Sequence, residues 1–213
     1  MARLRVTEIF CSLQGEARSA GLPTVFVRLT GCPLRCTWCD TAYAFSGGTW
    51  RDLDDILAEV AGFGVTHVTV TGGEPLAQAD CRALLAALCD AGHAVSLETS
   101  GALEIADLDQ RVSVVMDLKA PGSGEVERNR YANLELLRAV DQIKFVLADR
   151  ADYDWAREQI REHDLAARCE VLVQPVWDAL PPAELAQWVL DDRLPVRFQL
   201  QLHKLLWGDA RGR

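Results

Sequence analysis

Positive charge is scarce in this chain: 31 Asp and Glu residues face 22 Lys and Arg, leaving a formal net charge of −9. An acidic surface repels phosphate backbones at long range, so no nucleic-acid partner is expected. Long apolar runs are also missing. None approaches the roughly 20 residues that span a bilayer, and Met1 to Phe10 alternates charged with apolar residues instead of resembling a signal peptide. The expectation is a cytoplasmic protein with no membrane partner. Internal repeats, low-complexity tracts and long linkers are absent too, so 213 residues, 49% of them hydrophobic, read as one domain spanning 1–213. A disulfide framework is excluded by the cysteine pattern. There are seven, an odd number, and three crowd into one short loop, which suits metal binding in a reducing compartment.

What is present is a repeat of short β-rich runs with helical stretches between them. The runs are 24–29, 67–71, 94–99, 112–116, 142–147, 170–174 and 197–201. Leu53, Ile56, Leu57 and Val60 fall at helical spacing, with Thr49 as a plausible cap. A second helix, 80–91, puts Leu84, Leu85 and Leu88 on one face and stops at Gly92. Later helices are expected at 131–138, 152–163 and 182–190. Strand–helix alternation predicts an α/β fold with a mainly parallel sheet and right-handed crossovers. A closed eight-unit barrel takes around 250 residues, so the chain predicts a shortened, open (βα) barrel.

The chemistry sits in Gly31-Cys32-Pro33-Leu34-Arg35-Cys36-Thr37-Trp38-Cys39-Asp40-Thr41, directly after the first strong strand. Thiolates suit iron–sulfur clusters, and three ligands to a four-iron cluster leave one iron open to a small molecule. A structural zinc is the alternative, but it takes four closed ligands, and the next cysteines, Cys81 and Cys89, fall on a helix far along the chain.

The C-x3-C-x2-C spacing, with an aromatic before the third cysteine, resembles the radical S-adenosylmethionine (SAM) superfamily. Thr71-Gly72-Gly73-Glu74-Pro75, after the next strand, resembles that superfamily's GGE segment. The resemblance implies a 4Fe-4S cluster on Cys32, Cys36 and Cys39, and SAM cleaved by reduction to a 5′-deoxyadenosyl radical.

Further motifs resemble one family, the 7-carboxy-7-deazaguanine synthases. They are Glu8-Ile9-Phe10, Ser12-Leu13-Gln14-Gly15-Glu16, Arg28, Cys39-Asp40-Thr41, Glu98-Thr99-Ser100-Gly101, Asp117-Leu118-Lys119, Val173-Gln174-Pro175 and Gln201-Leu202-His203-Lys204. The resemblance implies conversion of 6-carboxy-5,6,7,8-tetrahydropterin to 7-carboxy-7-deazaguanine, a carbon–nitrogen lyase reaction with ring contraction and loss of ammonia, assisted by magnesium. The product would feed queuosine and other deazapurines.

By the same resemblance, Leu13, Gln14, Gly15, Glu16, Arg28, Thr71, Glu98 and His203 contact substrate. Thr37, Trp38, Cys39, Gly73, Asp117, Leu118, Lys119, Gln174 and Pro175 border SAM, and Thr41 ligates magnesium. Physically, Gln14 and Glu16 can supply the mixed donors and acceptors a pterin edge needs, and Arg28 can pair with a carboxylate in a bidentate fork. Taken alone, Arg28 has a structural ion pair as its lesser alternative, Asp40-Thr41 reads by default as a capping loop, and Glu98 and His203 compete with a buried structural carboxylate and a core histidine. The remaining cysteines, Cys11, Cys81, Cys89 and Cys169, read as small apolar residues. Expected partners are the pterin, an external electron donor such as flavodoxin or ferredoxin, and a second copy in a homodimer. A glycyl-radical enzyme activase and a non-catalytic metal-cluster module are the competing functions.

Overall fold

The computed structural model describes residues 2–213. Nine strands form one sheet in the order β3-β1-β2-β4-β5-β6-β7-β8-β9. They are β1 (Arg3–Leu13), β2 (Pro23–Leu29), β3 (Thr49–Asp52), β4 (His67–Gly72), β5 (Ala94–Thr99), β6 (Ser113–Asp117), β7 (Gln142–Leu147), β8 (Glu170–Pro175) and β9 (Arg197–Phe198). From β2 through β9 every pairing is parallel, whereas β1 runs antiparallel to both β2 and β3. Because β3 and β9 end the order without pairing each other, the sheet curls into an open, partial α/β barrel.

Six helices accompany the sheet: α1 (Leu53–Gly62), α2 (Cys81–Asp90), α3 (Arg150–Glu162), α4 (Leu165–Arg168), α5 (Pro182–Asp192) and α6 (Leu202–Trp207). In α2, Leu84, Leu85 and Leu88 are fully buried, each contributing about 1.5–3 kcal/mol of apolar transfer. Gly92 follows with φ +87°, the left-handed conformation that lets the chain reverse into β5. Asp149 starts α3, its carboxylate accepting from Asp152 N at 2.9 Å.

Side chains alternate strictly along the parallel strands, and this alternation builds the site. Val25, Val27, Val68, Val70, Leu97, Val114, Met116, Ile143, Phe145, Val171 and Val173 join the core beneath the helices. Their neighbours Phe26, Arg28, Thr71, Glu98, Val115, Asp117, Lys144, Val146 and Gln174 border a cavity on the concave side.

Three expectations are corrected, and one strand is added to those read from the sequence. Residues 3–13 are a strand: the alternation that argued against a signal peptide is a period-2 strand pattern, burying Leu4 and Val6. Thr49 is not a helix cap but pairs with Val6 in β3. Residues 131–138 form only 3-10 turns over Tyr131–Leu136, where the buried Asn133 amide donates to Gly101 O and Leu103 O and accepts from Ile105 N and so ties the segment to the loop after β5. The strand expected over 197–201 stops at Phe198: Gln199 N still donates to Val173 O at 3.0 Å, but the chain then leaves β8, and Leu202 N donates to Gly15 O at 3.0 Å as α6 begins. His203 therefore lies on α6, not at a strand end.

Candidate active site

The cysteine loop is braced from several directions. Leu34 is buried, and Arg35 lies over the Phe45 ring at 4.2 Å and donates to Cys32 O and Leu34 O at 2.8 and 2.6 Å. Leu34 N donates to Cys32 Sγ at 3.4 Å, and Thr37 N donates to Ser123 O at 2.9 Å. Below it, Glu74 N donates to Gly31 O at 2.8 Å and Gly73 N to Leu29 O at 3.2 Å. This contact requires glycine: a Cβ on Gly73 would lie 2.3 Å from Gly31 O and 2.7 Å from Cys32 Cβ. Glu74, fully buried, accepts from Leu76 N, Thr99 Oγ1, Ser100 N and Ser100 Oγ, and so fastens the end of β4 to the end of β5.

Cys32, Cys36 and Cys39 border one cavity of about 540 Å³. Burial pushes all three thiols above their ordinary value, and metal coordination would displace their protons. Among the described residues, no three His, Cys, Asp or Glu side chains converge as ligands of a single ion. That is not the arrangement of a closed zinc site, whereas a cubane takes its thiolates at separate irons. The three-thiol donor set, backed by the glycine contact, therefore fits a cluster. Thr41 borders the same cavity; its hydroxyl donates to Asp40 Oδ1 at 2.8 Å, which leaves the oxygen lone pairs free for a hard cation.

The opposite wall carries the charges. Arg28 Nε donates to Glu8 Oε1 at 2.7 Å, and Tyr43 OH donates to the same oxygen at 2.7 Å. The two Nη nitrogens make no hydrogen bond among the described residues, so the outer edge of the fork is open. Burial pushes the Tyr43 hydroxyl up to about 12, keeping it a donor. Glu16 Oε2 accepts from Lys144 Nζ at 2.5 Å and Oε1 from Gln201 Nε2 at 2.9 Å. Burial opposes ionisation of Glu16, but Lys144 outweighs it and holds the carboxyl at about 2. Lys144 is held above its ordinary value by Glu16, Asp117 and Glu98 against the same burial. Asp117 pairs with Lys119 at 3.0 Å. Burial disfavours the Lys119 charge, yet Asp117 and Cys36 keep it protonated above its usual range.

Gln14 is committed inward. Its amide donates to Thr69 Oγ1 and Glu98 Oε1 at 3.0 and 3.2 Å and accepts from Glu16 N at 3.2 Å. It shapes the loop, leaving Glu16 as the acceptor that faces the cavity. Thr71 Oγ1 donates to Glu98 Oε2 at 3.1 Å. His203 packs against Gly15, where a Cβ would lie 2.2 Å from its Nδ1, and Leu202 N donates to Gly15 O at 3.0 Å.

Of the residues nominated from the sequence, Leu13 to Glu16, Arg28, Cys32, Cys36 to Cys39, Thr41, Thr71, Gly73, Glu98, Asp117, Lys119, Gln174 and His203 all border this cavity. Leu118 and Pro175 do not. Leu118 is buried in the core, one residue out of phase with Asp117 and Lys119. Pro175 is likewise out of phase with Gln174 and lines a separate apolar groove. Neither residue lines the site. Sequence reading missed Lys144 and Tyr43, and held Glu8 and Gln201 only as parts of motifs, with no role of their own. Lys144 left a signal: a lone charge between Ile143 and Phe145 in an otherwise apolar strand.

A profile of the Radical SAM superfamily matches residues 26–141. The chain is 47% identical to 7-carboxy-7-deazaguanine synthase from Chlorobaculum tepidum, covering 99% of this chain and 98% of that protein. It is 43% identical to the Koribacter versatilis enzyme of the same name, with 96% and 97% covered. The crystal structure of QueE from Escherichia coli is similar at a TM-score of 0.75 and 25% identity, covering 94% of this chain and 95% of that one. Kinship across nearly the full length, together with a cavity that joins the cysteine loop to a charged wall, leads to one conclusion: the chain belongs to the 7-carboxy-7-deazaguanine synthase family of the radical SAM superfamily.

Proposed function

We propose that the protein converts 6-carboxy-5,6,7,8-tetrahydropterin to 7-carboxy-7-deazaguanine, a radical SAM lyase reaction on the route to queuosine and related deazapurines. The observation that carries this reading is the single cavity of about 540 Å³, with three thiols on one wall and the Arg28 fork and Glu16 on the other. That volume falls in the range of small-molecule sites. When bound, the cluster and SAM supply one-electron cleavage of the sulfonium and the radical that starts ring contraction.

The chain's own residues position and exclude. Cys32, Cys36 and Cys39 hold the cluster. Thr37, Trp38, Gly73, Asp117, Lys119 and Gln174 would hold SAM. Arg28 takes the substrate carboxylate on its open Nη edge, while Glu8 and Tyr43 fix its plane from behind. Glu16 accepts from the pterin's donor edge, Thr71 and Glu98 border the ring, and His203 covers it from α6. Thr41 would ligate magnesium through its hydroxyl oxygen. Asp117 Oδ1 is buried with no hydrogen-bond partner among the described residues.

Residues 1–213 act as one radical SAM domain, in the cytoplasm and as a homodimer. A flavodoxin or ferredoxin delivers the electron. Among the described residues no helix is long and apolar enough to cross a membrane. An activase role is disfavoured because docking a partner enzyme would need neither the Arg28 fork nor Glu16. The test is anaerobic cluster reconstitution followed by turnover with reductant, SAM, magnesium and the carboxytetrahydropterin. A product with the mass of carboxydeazaguanine supports the assignment; deoxyadenosine without that product overturns it.

A further inference from the structure

Four charged side chains cross the floor of the cavity in alternating sign. Glu16 meets Lys144 at 2.5 Å, Lys144 approaches Asp117 at 3.9 Å, and Asp117 meets Lys119 at 3.0 Å. The row starts in the β1–β2 loop and ends beside the cysteine loop. Within it, Lys144 is the pivot, nearly buried on β7 and shared by two carboxylates. The groups facing the Glu16–Lys144 pair are Gln14 from the same loop, Glu98 from β5, Asp117 and Lys119 from the end of β6, and Gln201 and His203 from the α6 side.

Glu16 has four lone-pair sites when ionised. Lys144 occupies one on Oε2 and Gln201 one on Oε1, so both oxygens retain acceptor capacity toward the cavity. A protonated carboxyl would instead present a donor. Which of the two the substrate meets depends on Lys144, because burial alone drives Glu16 toward the neutral form.

We infer that Lys144 is the positioning residue that sets substrate specificity, by fixing Glu16 as an acceptor-only wall that selects a heterocycle with two adjacent donors. The exocyclic amino group and neighbouring ring N–H of a pterin match that wall. The 2-oxo analogue sets a carbonyl oxygen against the carboxylate and is rejected. This inference rests on the pterin reading above and deepens it.

The test is equilibrium binding to the reconstituted, SAM-loaded protein, anaerobically and without reductant. The ligands are 6-carboxytetrahydropterin and its 2-oxo counterpart, 6-carboxytetrahydrolumazine, each titrated between about pH 6 and 8. The wild-type protein should prefer the pterin by roughly 10- to 100-fold, with little pH dependence. In Lys144→Met, pterin affinity should fall by about tenfold or more toward the acid end, as Glu16 takes up a proton, and the gap to the 2-oxo ligand should narrow. Lys144→Arg should restore both the preference and the flat profile. The double variant Lys144→Met with Glu16→Gln carries no unpaired buried charge, and should bind with a narrowed gap that does not change with pH. Cluster absorbance and circular dichroism identify folded variants. Equal weakening of both ligands at every pH, with Arg no better than Met, makes Lys144 merely structural and overturns the inference. A wild-type enzyme that turns over the pterin yet binds both ligands alike overturns it too, while leaving the function standing. Absence of the deazaguanine product from wild type overturns the pterin reading and this inference with it.

Discussion

Substituting alanine for Gly73 puts a methyl carbon 2.3 Å from Gly31 O and 2.7 Å from Cys32 Cβ. Both neighbours belong to the start of the cysteine loop, and one is backbone, so no side-chain rotation relieves the contact. Ordinary carbon contacts begin near 3.5 Å, so the loop must retreat by about 1 Å. The retreat stretches the Glu74 N to Gly31 O and Gly73 N to Leu29 O bonds of 2.8 and 3.2 Å. Overpacking of this kind costs about 1–3 kcal/mol, and each weakened bond adds about 1 kcal/mol. The strain is local, because Glu74 still fastens β4 to β5 through its own carboxylate. The expected outcome for Gly73→Ala is a protein that folds but holds less cluster after anaerobic reconstitution. A displacement of about 1 Å near the chemistry lowers rate on the order of 100-fold. Iron and sulfide content per chain, with deoxyadenosine release under reductant, measures both effects. Wild-type cluster content and wild-type deoxyadenosine yield would refute the reasoning.

Three other outcomes follow from the site. Arg28→Ala should raise the pterin KM by roughly 10- to 100-fold, the loss of a charge-assisted bidentate contact, with the cluster absorbance intact; loss of the cluster would make Arg28 structural. Thr41→Ala should shift the magnesium concentration needed for half-maximal rate, and an unchanged dependence argues against the ligand role. The Glu16 carboxyl titrates at about 2 in the folded chain against an ordinary 4.5. The stability it contributes is therefore complete above that ordinary value and is lost as the pH falls from there to about 2. Urea unfolding across that window should show a steeper loss for wild type than for Glu16→Gln, and parallel curves would contradict the pairing.

Much of this site is legible in the sequence because its chemistry is concentrated in loops at strand ends. The three cysteines, Gly72-Gly73 and Gln14-Gly15-Glu16 lie within short segments whose residue types serve little other purpose. Alternation within the strands was harder to use. Leu118 and Pro175 sit inside the right segments but face the helices, since one step along a strand reverses the side chain. Lys144 illustrates the converse, a charge in an apolar run whose partner Glu16 is 128 residues distant. Its pairing depends on the fold bringing β7 across from the β1–β2 loop. β1 was overlooked for a related reason. Its charged residues Arg3 and Arg5 face outward and only Leu4 and Val6 are buried, so the period-2 pattern is too short to identify a strand alone. His203 needed the structure as well, because β9 ends at Phe198 and the chain turns into α6, a change that the local sequence does not announce.

The proposed function requires one cavity to bring a SAM-derived radical to a carboxylated pterin. The most direct measurement is the ratio of carboxydeazaguanine to 5′-deoxyadenosine in anaerobic reactions of the reconstituted enzyme, with the pterin present or omitted. The account predicts that the deazaguanine mass appears only with the pterin, and that the pterin increases deoxyadenosine formation along with it. Equal deoxyadenosine in both reactions and no deazaguanine in either would contradict it.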